Sequence, residues 1–331
     1  MYVGKVFTLK VLWPFAKKNL IRSIISSTVI TSLYFFLDWT FLAVPFLPIG
    51  TIGTAVAFYV GFKNNQAYER LWEARKLWGG FTNNSRIFTA NVRSIIQDKE
   101  VQKDLLYRHI TYLNILKLQL RKTIPWATSK EIIHQSSVLE AEELLAYDKA
   151  IIKLYEEIGR MDIYEMVKNR NNIASTALQQ QYQEIGKLKR AKVIDDFEHS
   201  DLLKILNEFY NLQGGCERIK TTPLFRQFSI FSRIFVVLFI FLLPFGLLTS
   251  MNALEHIGHL GVWLTIPFST LISWVFFSME QIGEFSENPF DNGINDVPIS
   301  AICRNIEIDI RDMMGEANLP EKIVPHDNVL L

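Results

Sequence analysis

The chain has 331 residues, a formal net charge of +1 and 49% hydrophobic residues. The near-neutral charge leaves no basis for nucleic-acid binding. The two cysteines, Cys216 and Cys303, lack metal spacing and are expected as buried reduced thiols, not a disulfide or a zinc site. Composition alone does not separate a membrane protein from a soluble one; the distribution of charge does. Four blocks carry no charge, while charges crowd the rest.

The N-terminus holds Lys5, Lys10, Lys17, Lys18 and Arg22 and shows no signal-peptide cleavage pattern. The first charge-free block then runs from Ser23 to Leu37 and the second from Trp39 to Phe62, parted by Asp38. The third runs from Ile234 to Leu254 and the fourth from Leu260 to Met279. A spanning helix needs about 20 apolar residues. Blocks two to four reach that length, and the first does so if it starts earlier with Arg22 snorkelling to the interface. The expectation is an all-α protein with four transmembrane helices in two hairpins. Lys17, Lys18, Arg22, Lys63, Arg70, Arg75, Lys76, Arg218, Lys220, Arg226 and Arg233 flank one set of ends, while the short opposite turns carry Asp38 and Glu255 and no Lys or Arg. The positive-inside rule then puts both termini and the long middle segment in the cytoplasm, in the inner membrane of a bacterial-type cell.

The divisions expected are 1–62 (N-terminal segment and helices one and two), 63–227 (cytoplasmic domain), 228–280 (helices three and four) and 281–331 (cytoplasmic tail). In the cytoplasmic domain, Glu100–Lys122, Val138–Gly159 and Ser200–Leu212 repeat apolar residues at helical spacing, and no useful β alternation appears. The tail is acidic and carries a turn cluster, SENPFDNGINDVP, followed by an amphipathic helix, SAICRNIEIDIRDMMGE.

The second block is the unusual one. Thr54, Phe58 and Phe62 are spaced by four and share one helical face. Copies of that face around an axis would stack one hydroxyl ring and two phenyl rings, and a narrow apolar ring gates ions by dewetting; ordinary helix packing explains the same stripe. The segment that follows, KNNQAYERLWEARKLWGG, mixes aromatics with charge. Trp72 and Trp78 suit a membrane boundary, and Glu69, Arg70, Glu73 and Arg75 could pair within or between subunits. A lone interfacial amphipathic helix is the alternative to a subunit belt.

His-Ile-Gly-His at 256–259 matches the tetrad of adenylyl-transferring enzymes, but it falls in a turn between apolar blocks with no sheet nearby. His256 and His259 alone are too few for a metal. With no phosphate-cradling loop, nucleophile elbow or intramembrane acid of the kind a proton-coupled carrier needs, no enzyme is expected, and no cofactor.

GFKNNQAYERLWEARKLWGG at 61–80, GGCERIKTTPL at 214–224 and ENPFDNGINDVPISAICRNIE at 287–307 resemble the bestrophin family in its prokaryotic branch, in order and spacing. The resemblance covers nearly the whole chain. It implies a homopentameric ion channel with one axial pore, lined by five copies of the second transmembrane helix. It places the neck at Thr54, Phe58 and Phe62, with a hydroxyl where the family has an apolar residue, and a cytosolic exit constriction near Phe197. From the residues of the 61–80 segment themselves, the intersubunit belt expected is Asn64, Asn65, Tyr68, Arg70, Trp72, Glu73, Arg75 and Trp78. Animal members bind calcium on an acidic run after Asn-Pro-Phe. Here Asp291 and Asp296 are separated by neutral residues, too few carboxylates for calcium, so no metal site is assigned. Turn formation and helix capping are expected of Asn292, Asn295 and Asp296.

For selectivity, five copies each of Asp38 and Glu255 at the outer mouth would concentrate cations, or both are solvated loop charges. The expected function is a channel for small monovalent ions with cations favoured. An anion-selective channel of the same fold is the alternative, and a membrane-anchored scaffold without ion flux the rival. Expected partners are further copies of the chain, monovalent ions and membrane lipid.

Overall fold

The computed structural model describes residues 1–4, 9–122, 146–157 and 159–330; the side chains of residues 9–12, 14, 15 and 255–259 also fall outside the description. The described residues form ten α-helices: α1 (Leu9–Phe36), α2 (Phe46–Ile95), α3 (Lys99–Arg121), α4 (146–157), α5 (Met161–Val167), α6 (Ile173–Arg190), α7 (Asp196–Thr221), α8 (Arg226–Asn252), α9 (Thr265–Phe285) and α10 (Ile299–Met313). No strand beyond isolated bridges occurs among the described residues, so the all-α expectation holds. Of the helix expected over Val138–Gly159, residues 138–145 and 158 lie outside the described residues.

Two compact units divide the chain: one of Met1–Val3, Leu71–Thr222 and Asn288–Leu331, the other of Gly4–Arg70 and Pro223–Glu287. The helix α2 contributes to both. Its 50 residues run about 75 Å at 1.5 Å per residue, and neither Gly50, Gly53 nor Gly61 breaks it.

The apolar unit holds the spans. Among the described residues three helices are long and apolar enough to cross a membrane, within Thr40–Ile95, Arg226–Asn252 and Leu260–Phe285. That is one fewer than the four expected, and α1 is the helix outside this set. At 28 residues α1 is long enough, but Lys17, Lys18, Arg22 and the hydroxyl-rich run from Ser23 to Ser32 dilute its apolar character. It packs most extensively on α9. Ser23, Ser27 and Thr31 on α1 and Thr265, Ser269 and Ser273 on α9 are all buried, each set at steps of four. Small side chains let helices approach closely inside a membrane. On α2, Gly53 leaves room for the Phe239 ring of α8, since a Cβ added there would lie 2.6 Å from that ring. The loop before α2 is tied to α8 by Val44 N–H donating to the Phe245 carbonyl (3.2 Å) and Thr249 Oγ1 donating to the Val44 carbonyl (2.8 Å).

The other unit has one core, built from the second half of α2 with α3, α4, α5, α6, α7 and α10. Trp78, Phe81 and Phe88 stack among Tyr112 and Phe209. His109 lies in the same layer, 2.8 Å from Ser85 Oγ, and its burial drives the imidazole pKa down to about 3, so it stays neutral. Both cysteines are free and buried. Asp98 caps α3 by accepting from the Glu100 and Val101 N–H groups. A reciprocal capping box of Asp195 and Glu198 starts α7.

Candidate functional site

Why α2 turns one face inward follows from its apolar spacing. Ile49, Gly53, Val56, Val60, Lys63 and Ala67 are buried at steps of three and four, the ridge of a helix packed on one side. Thr54, Phe58 and Phe62 lie off that ridge. All three are exposed, the phenyls by 67% and 63%. Thr54 Oγ1 donates to the Gly50 carbonyl at 3.1 Å, which keeps its proton on its own helix. A phenylalanine normally buries most of its ring in a packed bundle. Both rings lie on the side of α2 that packing within the chain leaves uncovered, where Thr51, Ala55 and Gly61 are also exposed.

Directly beside the second phenyl is a charged cluster that reading the sequence missed. Lys63 is 1% exposed, and its Nζ donates to Glu280 Oε1 on α9 at 2.5 Å. Ser232 Oγ, on α8, donates to the other carboxylate oxygen, Oε2, at 2.6 Å. The next residue, Asn64, donates from Nδ2 to the Met279 carbonyl at 2.9 Å. Three helices are thereby cross-linked by one buried ion pair and its satellites. The only signal in the sequence was a lysine in register with the buried ridge, at the step of three from Val60.

The residues expected in a belt divide. Asn65 is exposed and donates to Glu69 Oε1 at 3.3 Å, and Tyr68 and Trp72 are exposed on the same helix. Arg70 Nε donates to the Glu287 carbonyl at 3.0 Å. In the other unit Glu73 pairs with Arg218, and Arg75 Nη2 lies 3.5 Å from the Met1 sulfur. Trp78 is a correction: it is fully buried in its own unit's core and cannot face a neighbouring subunit. It continues the buried steps through Leu71 and Ala74, which the sequence already displayed.

Phe197 sits in the first turn of α7 and is 83% exposed. Asp38 is exposed at φ 55 in the turn after α1, where its carbonyl accepts from Thr40 N–H. Glu255 opens a 3-10 helix, Glu255–Leu264, and its side chain lies outside the described residues; the His256–His259 segment falls in the same helix.

The turn expected after Asn-Pro-Phe is present, with Asn292 at φ 70. Asp296 is buried, and its Oδ2 accepts from Gly293 N–H at 2.8 Å. Burial, and secondarily the neighbouring Asp291, lift the Asp296 carboxyl to about 6 against the backbone bond that lowers it. Asp291 is engaged by Lys220 at 2.6 Å. One carboxylate is neutralised by lysine and the other folded into its own turn. That donor set does not fit calcium, which wants several convergent anionic oxygens, and no group of three or more His, Cys, Asp or Glu gathers among the described residues.

With this geometry in place, comparison with known proteins defines the class. The family model described as Bacterial/Fungal Bestrophin protein matches residues 5–312. The chain belongs to that family, which is not one of enzymes. It is 30% identical over 297 residues to the voltage-dependent anion channel-forming protein YneE of Escherichia coli (strain K12), covering 89% of this chain and 86% of that one. It is 29% identical over 278 residues to a voltage-dependent anion channel-forming protein of Mesorhizobium japonicum, covering 84% and 77%. Among solved structures it is similar to a bacterial bestrophin homolog from Klebsiella pneumoniae, with TM-score 0.75 and 25% identity over 91% of this chain and 99% of that one.

Proposed function

We propose that five copies of the chain surround one axial pore in the inner membrane, with both termini cytoplasmic, and that the pore conducts small monovalent ions, anions favoured. The carrying observation is that Thr54, Phe58 and Phe62 lie opposite the buried ridge, on the side of α2 that packing within the chain leaves uncovered. Facing an axis, the phenyls form two stacked apolar rings, narrow enough to gate by dewetting. Phe197 serves as a second constriction at the cytosolic exit. The helix α1 serves as the fourth span, held on α9 by the buried hydroxyl rows, and Asn65, Tyr68 and Trp72 contact the next subunit or lipid.

The preference for anions replaces the cation preference expected from Asp38 and Glu255. The strip carries no charged group, and the relatives above are named as anion channels. Phenyl edges carry partial positive charge, so rings turned edge-on to the axis favour an anion. Asp38, held in a tight turn, acts as a solvated loop residue.

The test is reconstitution. Purified protein should elute in detergent with about five times the 38.3 kDa chain mass, and liposomes holding it should pass chloride. A monodisperse monomer or dimer that passes no ion would leave the scaffold reading.

A further inference from the structure

We propose that Lys63, Glu280 and Ser232 form a latch that sets the rotation of α2 about its own axis and so positions the Phe62 ring in the pore. The inference rests on the neck reading above and goes beyond it. Lys63 follows Phe62 directly, so one peptide unit couples the buried pair to the exposed ring. Successive residues on a helix point about 100° apart. Holding Lys63 against α9 therefore holds Phe62 off the bundle, and a turn of α2 that freed Lys63 would also move the ring.

The chemistry makes this hold selective for one arrangement. A charged pair taken out of water is costly, and it is tolerated only when the two charges meet with good geometry and their remaining hydrogen-bonding atoms are satisfied. Here both carboxylate oxygens are used, one by Lys63 at 2.5 Å and one by Ser232 at 2.6 Å. Apolar ridges can slide or rotate past one another with small loss. A buried ammonium cannot, because it would lose its bond to Glu280 and leave both charges unpaired out of water.

Packing around the pair leaves little room for compromise. A Cβ on Gly283 would lie 2.2 Å from Asn64 Oδ1 and 3.5 Å from Lys63 Cε. The helix α9 thus presents bare backbone where Lys63 and Asn64 cross it. Asn64 adds its bond to the Met279 carbonyl one residue before Glu280. Anchors on two successive residues of α2 meet two successive residues of α9, which fixes both rotation and register. Lys63, Glu280 and Ser232 are all buried, so they act on the pore through Phe62, as positioning residues.

The experiment compares single-channel recordings of the full-length reconstituted wild type with those of three variants. The first is Lys63→Met with Glu280→Gln, which removes both charges and keeps side-chain length. The second is Phe58→Ala with Phe62→Ala, and the third combines all four changes. Elution volume in detergent checks assembly. The latch variant is expected to change open probability by about fivefold or more, the lower end of coupling between linked sites. The same latch change on the alanine neck is expected to have no effect, because no ring remains to be positioned. A purely structural role predicts an equal shift in both backgrounds, and that result, or an unchanged open probability in the wild-type neck, overturns the latch. If the alanine neck itself conducts like wild type, the neck reading fails instead. Should the latch variant not assemble, Ser232→Ala, which spares the ion pair, is expected to shift open probability in the same way and more weakly; no shift there overturns the proposal.

Discussion

Replacing Phe58 and Phe62 by alanine separates a pore-facing strip from ordinary helix packing. A buried Phe→Ala change costs about 3–5 kcal/mol through lost transfer energy and a cavity. Phe58 and Phe62 are 67% and 63% exposed, so only about a third of each ring is covered. Full burial of a phenylalanine is worth about 1.5–3 kcal/mol; a third of that is about 0.5–1 kcal/mol per ring. At about 1.5 °C per kcal/mol for a chain of 331 residues, the double variant should lose no more than about 3 °C in melting temperature, measured by intrinsic fluorescence in detergent. Its unitary current in a planar bilayer should rise, because each subunit contributes two fewer phenyls to the narrowest rings. A loss of about 9 °C or more with unchanged current would refute the reasoning and assign the phenyls to packing.

The pH dependence follows from Asp296. Its folded-state carboxyl is raised to about 6 from 3.8, so the fold favours the protonated form. Stability from this group is full below about pH 4, falls as pH rises through 4 to 6, and levels off about 3 kcal/mol lower. Asp296→Asn should therefore gain stability over wild type as pH rises from 4 to 7 in thermal melts; parallel profiles would contradict this. Gly53→Ala should overpack the contact with Phe239, where the added Cβ would lie 2.6 Å from the ring, and cost about 1–3 kcal/mol; a neutral change in melting would show that α2 and α8 are less close than described. The two tryptophans should part company. Trp78→Ala should destabilise by about 3–5 kcal/mol, whereas Trp72→Ala should reduce the oligomer's mass in native electrophoresis with little loss of chain stability, and the reverse pattern would exchange their roles.

Much of this was legible because helical spacing is a local signal. The buried ridge of α2 can be read from Val56, Val60, Ala67, Leu71 and Ala74, and the neck strip lies opposite it. The extent of α1 was not legible, since Ser23, Ser26, Ser27 and Thr28 break the apolar run that marks a span, although the fold uses such hydroxyls to bring α1 against α9. Nor was the Lys63–Glu280 pair visible. Its partners are 217 residues apart, and in sequence each reads as a flanking charge at the end of an apolar block. The two tryptophans were grouped by composition, when the steps of three and four from Leu71 to Trp78 already put Trp78 on the inner side and Trp72 on the outer. The turn was legible in SENPFDNGINDVP, but the helix capping expected of Asn292, Asn295 and Asp296 is not made, since the N-cap of α10 is Pro298, without a side-chain cap, and the engagement of Asp291 by Lys220 needed the fold.

The most direct test is the reversal potential of the reconstituted protein in a planar bilayer under a sodium chloride gradient. A value near the chloride equilibrium potential is predicted, with the current enlarged in the Phe58→Ala, Phe62→Ala variant. A value near the sodium potential would contradict the anion reading and return the exposed Asp38 to a role at the mouth.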